Sequence, residues 1–378
     1  MSSVTGQNCT LFRWVKVGRG IRAHPSPTRG RGAGGEGICV RVFLLLVLAA
    51  HCVSAFQATA ADAPLPRIVL SVPGPHNLSY LPADLISKIG ADRAEGVELQ
   101  LLHSGGSSFA LNHLTSHNAD FAVAGLPTIM SLRANGGKAV GIAAVDDAAV
   151  FVLMVRTPLK QQVQRFADLK GKVIGVSTSS LSSKTTTQQL FEILLLSDSL
   201  NPRMVRIVPA GLNWPEQSAL IDSGMVDAIM STEPFASRLL AEHKVHFLAN
   251  LADPATAAKI PGAGFLHATL ATRPELIAND PQKVAKMVRI VRRTLQWIAS
   301  HTPEELVEKL DIRDQAERAA LLDCLKKYPR LYSTDGRFSS KQLQETERFF
   351  RATAANHPAA QSLKAESVVA DHWAGRRR

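Results

Sequence analysis

Two serine-rich stretches in this chain of 378 residues have the composition of a cradle for a small anion. Ser104-Gly105-Gly106-Ser107-Ser108 runs into the apolar-spaced residues 109–114, and residues 177–183 run into Lys184, Thr185 and a second helical pattern. The first turn of a helix presents backbone N–H groups that have no partner within the helix. Together with neighbouring hydroxyls they attract negative charge. Gly106, Ser107 and Ser108 are therefore candidate ligand contacts in the first stretch, and Ser179, Ser182 and Ser183 in the second. The same residue types also cap helices and populate solvated loops, and the sequence leaves both uses open.

Further candidates sit at the ends of predicted strands. Gly74 and His76, in Pro73-Gly74-Pro75-His76, offer backbone and imidazole contacts or a plain tight turn. Gly125 and Thr128 open a helix after another strand. Asn213-Trp214 could stack on a planar ligand, or Trp214 could anchor a core. Glu233, between a strand end and Pro234, would favour a ligand bearing an amine or ring N–H, or it makes a structural hydrogen bond at a hinge.

Other chemistry is poorly supplied. His113 and His117 lie four apart, a helical spacing that zinc uses, but no third ligand and no glutamate after the first histidine accompany them, so no metal is expected. There is no G-x-S-x-G, P-loop or dinucleotide fingerprint, and neither a cofactor nor catalysis is expected. Of the four cysteines, Cys9, Cys39 and Cys52 fall in residues 1–61, which leaves Cys324 alone in the body, without a disulfide partner there. The formal charge of +11 suggests a nucleic-acid partner until it is divided: +6 belongs to residues 1–61, and Arg376, Arg377 and Arg378 supply three more. The body is nearly neutral and has no basic stripe interleaved with aromatics, which excludes nucleic acid.

The elements that must position the candidates alternate. Short apolar runs at residues 67–72, 97–102, 120–124, 140–145 and 150–155 are separated by helical patterns or turns. A second series of strands falls at 172–176, 204–208 and 227–230. This order predicts an α/β fold with mostly parallel sheets flanked by helices. The two series echo one another: Ser116-His117-Asn118-Ala119-Asp120-Phe121 parallels Ser223-Gly224-Met225-Val226-Asp227-Ala228, each a helix end, a turn, an Asp and a strand. Two similar lobes imply a cleft between them, at the carboxyl ends of the strands. Beyond residue 280 the chain reads as helices that pack on one lobe, opened by Asp280-Pro281, by the capping box Thr302-Pro303-Glu304-Glu305 and by Ser339.

Residues 1–60 read as a leader. Arg41 precedes nine apolar residues, 42–50, too few for a membrane span, and Val53-Ser54-Ala55 and Ala58-Thr59-Ala60 resemble signal-peptidase sites. An uncleaved anchor is the alternative.

In these features the chain resembles the type II periplasmic solute-binding proteins of ABC importers, in particular the nitrate/sulfonate/taurine and thiamine-pyrimidine-precursor group. The matching stretches are Tyr80-Leu81-Pro82-Ala83, Glu95-Gly96-Val97-Glu98-Leu99, Asp168-Leu169-Lys170-Gly171-Lys172-Val173-Ile174-Gly175-Val176, Gly224-Met225-Val226-Asp227-Ala228 with Glu233-Pro234, and Ala271-Thr272-Arg273-Pro274-Glu275-Leu276. The chain departs from the group's pattern at Gly90-Ala91-Asp92 and at His117, where glycine is usual. The resemblance implies a two-lobed fold, with residues 66–155 and 256–378 in the first lobe and 156–255 in the second. They would be joined by hinge crossings near Arg156 and at about residues 250–264. It also implies a periplasmic monomer that closes on a small polar or anionic solute and delivers it to an inner-membrane ABC permease. An extracytoplasmic sensor, or an enzyme of the same fold acting on a pyrimidine or a small acid, are the alternatives. The exported protein is expected to begin between Phe56 and Ala63; an intact mass that includes residues 1–50 would refute this.

Overall fold

The computed structural model describes residues 64–182, 184–354 and 358–377. The expected signal peptide and cleavage sites, and the candidate Ser183, lie outside the described residues. Ten strands build the two main sheets. In chain order they are β1 (Arg67–Val72), β2 (Glu98–His103), β3 (Phe121–Ala124), β4 (Val140–Ala144), β5 (Phe151–Arg156), β6 (Val173–Val176), β7 (Arg206–Pro209), β8 (Ala228–Thr232), β9 (Val245–Asn250) and β10 (Thr269–Thr272). The first sheet has the order β2-β1-β3-β10-β4 and the second β7-β6-β8-β5-β9. β1 pairs in parallel with β2 and β3, and β6 with β7 and β8. In each sheet one strand runs antiparallel to both neighbours, β10 in the first and β5 in the second.

These two antiparallel strands explain where the lobes begin. The strand expected at residues 150–155 to complete the first lobe is β5, and it bonds within the second sheet. The first crossing is therefore residues 145–150, ahead of the position near Arg156 expected from the sequence, and the second runs from 251 to 268. A buried parallel strand and a strand entering after a crossover are both continuous apolar runs, so the residues of β5 do not reveal their sheet.

The internal echo has a physical cause. Asp120 Oδ2 accepts from the Val69 N–H of β1 at 3.0 Å, and Asp227 Oδ2 accepts from the Val173 N–H of β6 at 2.9 Å. Each aspartate ties the start of a sheet's central parallel pair and meets a base, Lys283 at 3.2 Å or Arg156 at 3.6 Å. The turn before each aspartate needs a left-handed residue: Gly224 has φ 68° and His117 has φ 63°. The unusual histidine thus holds the same backbone conformation as the glycine, at a steric cost that glycine avoids.

The helices that matter below are α1 (Leu81–Leu85), α2 (Ser107–Thr115), α3 (Leu126–Ala134), α4 (Thr186–Ser197), α5 (Trp214–Asp222), α6 (Phe235–Ala241), α7 (Pro281–Ser300), α8 (Pro303–Leu310), α9 (Gln315–Lys327) and α10 (Ser340–Thr353). The caps read from sequence are present: Asp280 accepts from the Lys283 N–H, and Thr302 with Glu305 forms a reciprocal capping box. Ser339 caps α10, but the Gln342 side chain reaches the Asp146 carbonyl instead of closing a box. The terminal helices do not keep to one lobe. Phe349 packs in the core of the second sheet and Phe350 in that of the first, and Arg238 of α6 pairs with Asp314 at the start of α9 at 3.0 Å. The tail arginines are also committed, Arg376 to Asp371 and Glu366 and Arg377 to Asp147 at the first crossing. No helix among the described residues is long and apolar enough to cross a membrane.

Replacing His117 by glycine should raise unfolding stability by about 0.5–1 kcal/mol, and Gly224→Ala should lower it by about 1 kcal/mol. Urea midpoints measure both, and a stability unchanged in both variants would reject the matched-turn reading.

Candidate functional site

The loop after β2 is pinned under the end of β1. Ser104 N donates to the Val72 carbonyl, Gly105 N to that of Pro73, and Ser104 Oγ to the Gly106 carbonyl. This aims the first turn of α2 into the space between the sheets. Its N-cap is Gly106, so no side chain satisfies the first N–H groups. From the second lobe α4 points its first turn into the same space, with Thr185 as N-cap accepting from the Gln188 N–H. Two helix N-termini from two sheets therefore converge.

They meet at a buried cavity of about 20 Å³. Asn77, Tyr80 and Ser107 wall it from the first lobe, Phe151, Ser177, Thr185, Thr186, Thr187 and Thr232 from the second, and His267 from the second crossing. A volume of this size admits about one water molecule. The lobes touch directly around it: Asn77 Nδ2 donates to Thr232 Oγ1 at 2.7 Å, Thr128 and Thr186 hydroxyls meet at 3.1 Å, and Ser179 Oγ donates to the Gly105 carbonyl at 2.8 Å. Gly105, at φ 85°, permits that last approach, because a Cβ there would stand 2.5 Å from the Ser179 hydroxyl. Backbone bonds join the lobes beside them, from the Ser179 N–H to the Gly105 carbonyl at 3.3 Å and from the Leu78 N–H to the Glu233 carbonyl at 3.0 Å. Outside them lies a groove of about 820 Å³ whose lining includes Ser108, Thr128, Ser182, Lys184 and Gln189.

Electrostatically the cavity is neutral. None of its lining residues is an Asp, Glu, Lys or Arg. His267 is 3% exposed and burial pushes its imidazole down to about 3, so it is uncharged at neutral pH. Its Nε2 lies 3.0 Å from the Tyr80 hydroxyl, which is 3.2 Å from Ser107 Oγ. Behind it, fully buried Asp146 accepts from the Ala268 N–H at 2.9 Å, and desolvation raises its carboxyl well above the usual range.

Of the sequence candidates, Gly106 and Ser107 line the cavity. Ser107 and Ser108 do not act as caps, since Gly106 holds that position. Gly74 backs onto Leu212 of the opposite lobe, while Gly125 caps α3 beside Thr186. Thr128 and Ser179 bridge the lobes, and Ser108 and Ser182 face the outer groove. Four others are committed elsewhere. His76 bonds Glu317 at 2.6 Å, a contact that raises its pKa, and Asn213 caps α5 by accepting from the Glu216 N–H. Trp214 lies under the Arg238 guanidinium at 3.7 Å. Buried Glu233 accepts from the Ser237 N–H and hydroxyl and from the Tyr328 hydroxyl, while its carbonyl receives the Leu78 N–H. These bonds tie the side chain to α6 and the end of α9 and leave the carboxylate little capacity for a ligand. The pair His113 and His117 is separated by function, His113 meeting Ser71 Oγ at 3.1 Å and His117 forming the left-handed turn.

Sequence reasoning passed over Asn77, Thr186, Thr187, Thr232 and His267. Thr232 adjoins Glu233 and could have been found from the strand end. His267 gave no local signal, because its place depends on the path of the second crossing.

Two sheets with antiparallel inserts, double crossings and a cleft between strand ends define the periplasmic-binding-protein fold. The NMT1/THI5-like family model matches residues 93–305, more than half of the chain, and the chain belongs to that family. No curated protein matches it. A solved structure from Bordetella bronchiseptica RB50 is similar with TM-score 0.72 at 19% identity, covering 82% of this chain and 95% of that one. The alkanesulfonate-binding protein SsuA from Xanthomonas axonopodis pv. citri, bound to MOPS, follows with TM-score 0.63 and 15% identity over 84% and 100%. A cysteine-to-serine mutant of DszB in complex with biphenyl-2-sulfinic acid gives TM-score 0.54 and 18% identity over 82% and 97%.

His267 and Asp146 give opposing pH dependences. The unfolded chain takes up a proton at histidine below about pH 6.5 while folded His267 does not until about 3. Stability therefore falls on acidification through that window, by about 1.4 kcal/mol per pH unit. Asp146 has a raised folded pKa, so its contribution is present at low pH and lost as pH rises through that value. Asp146→Asn should lose at least about 2 kcal/mol more than His267→Gln between pH 6.5 and 5, measured by urea unfolding, because the histidine alone accounts for that much and the aspartate acts in the opposite sense. Parallel pH profiles for the two variants would contradict the assignment.

Proposed function

We propose that this protein is the extracytoplasmic solute-binding component of an ABC importer and that it captures a small anionic organic solute between its lobes. The observation that carries the reading is the convergence of two helix N-termini, one from each sheet, on a buried cavity walled by hydroxyls. Oriented N–H groups and helix dipoles favour a negative group there without a counter-charge. Because the groups come from different lobes, a bound anion stabilises the closed arrangement and shifts the population towards it. A membrane permease that recognises the closed form completes the cycle, and the sequence of the leader supports a periplasmic location. SsuA bound to MOPS and DszB holding a sulfinic acid make sulfur oxyacids the first ligands to try.

The DszB likeness also raises the enzyme reading, in which a thiol would be the first nucleophile to seek. Cys324 lies buried in α9, outside the cavity lining, and burial pushes its thiol up, away from the reactive thiolate. This placement supports binding without turnover.

A thermal-shift screen of ethanesulfonate, taurine, MOPS, nitrate, aromatic acids, amino acids and pyrimidines tests the proposal. At a ligand concentration about 100 times Kd, an acid that binds should add about 2.7 kcal/mol of stability. Ser107→Leu, which fills the cavity, should abolish that gain, and mass spectrometry should recover the ligand unchanged. No stabilisation by any acid, or a converted ligand, would overturn the reading.

A further inference from the structure

The hydrogen bonds around the cavity have a direction, and it can be traced. Asn77 Oδ1 accepts from the Ser79 N–H at 3.0 Å, which turns its amide nitrogen to Thr232. Thr232 Oγ1 therefore accepts, and its own O–H is left to donate. Thr185 Oγ1 accepts from the Gln188 N–H, again leaving a free O–H. A hydroxyl has one hydrogen and two lone pairs, so a donor seated on the oxygen leaves that single hydrogen free for a ligand, whereas an acceptor beside it uses the hydrogen up.

Ser107 is set through a longer chain. Its hydroxyl meets Tyr80, Tyr80 meets His267 Nε2, and all three side chains are at least nine-tenths buried. His267 Nδ1 is buried and has no partner among the described residues. A proton on Nδ1 would strand a buried N–H, the rarer and more costly orphan; a proton on Nε2 leaves only an unpaired acceptor. The Nε2–H form donates to the Tyr80 oxygen, Tyr80 donates to Ser107 Oγ, and the Ser107 O–H points its hydrogen into the cavity. The opposite tautomer would reverse every bond and present a lone pair there.

Resting on the solute-binding reading above, we infer that His267 is a positioning residue which, through Tyr80, keeps the Ser107 hydrogen free to donate, so that the cavity favours a ligand group rich in acceptors. With Thr185, Thr232 and the first N–H groups of α2 and α4, every group so set is a donor. A sulfonate fits this polarity. An aminopyrimidine or a protonated amine uses fewer of these hydrogens and binds more weakly.

Two measurements test this. Ring nitrogen shifts of His267 in the free protein, assigned by the signal lost in His267→Gln, should report a proton on Nε2; a proton on Nδ1 overturns the inference whether or not any solute binds. Calorimetry with ethanesulfonate, and with 4-aminopyrimidine as the donor-bearing probe, reads the selectivity. Tyr80→Phe, which unlocks the Ser107 hydroxyl, should weaken ethanesulfonate by up to about tenfold while affecting 4-aminopyrimidine little. His267→Gln, whose amide can still donate to Tyr80, should keep most of the preference, and His267→Leu should lose it. Equal loss of both probes in Tyr80→Phe would make the residue merely structural and refute the inference. Failure of the unaltered protein to bind any acid refutes the solute-binding reading instead and leaves the tautomer result to stand on its own.

Discussion

The architecture depends on one constraint of connectivity: each sheet completes itself with a strand that has just come from the other lobe. β5 enters the second sheet directly after the first crossing, and β10 enters the first directly after the second. Each pairs antiparallel with the last parallel strand, β8 or β3. The crossings therefore end inside hydrogen-bonded ladders, and the residues beside them, Phe151 and His267, are fixed as the back wall of the cavity. The parallel strands on either side leave their carboxyl ends and the following helix starts facing one another, the arrangement in which open α/β sheets bind ligands.

The terminal helices add a second tie. Phe349, stacked on Phe265 at 4.3 Å, and Phe350 anchor adjacent residues of α10 in different cores. On another side of the molecule Tyr328 reaches Glu233 and Asn250, and Asp314 reaches Arg238. Opening the cleft must leave these packed contacts in place or slide them slightly, because close-packed cores yield in discrete steps. The contacts that open most easily are the isolated hydroxyl bridges around the cavity, each of which exchanges readily for water.

Much of this was legible from residues alone. The alternating pattern revealed two α/β lobes, and the echo around Asp120 and Asp227 exposed their internal likeness. Asp280, Thr302 and Ser339 marked real helix starts, since a cap is a local interaction between near neighbours. The loop of Gly106 and Ser107 was found for the same reason. What escaped depends on long-range pairing. The sheet to which β5 belongs is decided by partners β8 and β9, far along the chain, and nothing within its apolar run distinguishes the two sheets. Glu233, Asn213 and Trp214 have residue types suited to ligands, but neighbours that the sequence does not display, Ser237, the Glu216 N–H and Arg238, already engage them. His267 belongs to a crossing whose path is set by both lobes.

The neutrality of the cavity has a kinetic side. A site built on arginine or lysine draws anions from a distance, and the attraction fades as ionic strength rises and counterions screen it. Here the fixed partial charges are buried backbone and hydroxyl dipoles, whose field is short in range and little screened by dissolved salt. On the proposed reading, the cavity itself would contribute little long-range steering, and its dipoles would act on a solute already inside. On the solute-binding reading proposed above, such a site would keep its grip when the salinity of its surroundings changes and would distinguish anions by the geometry of their oxygens instead of by total charge.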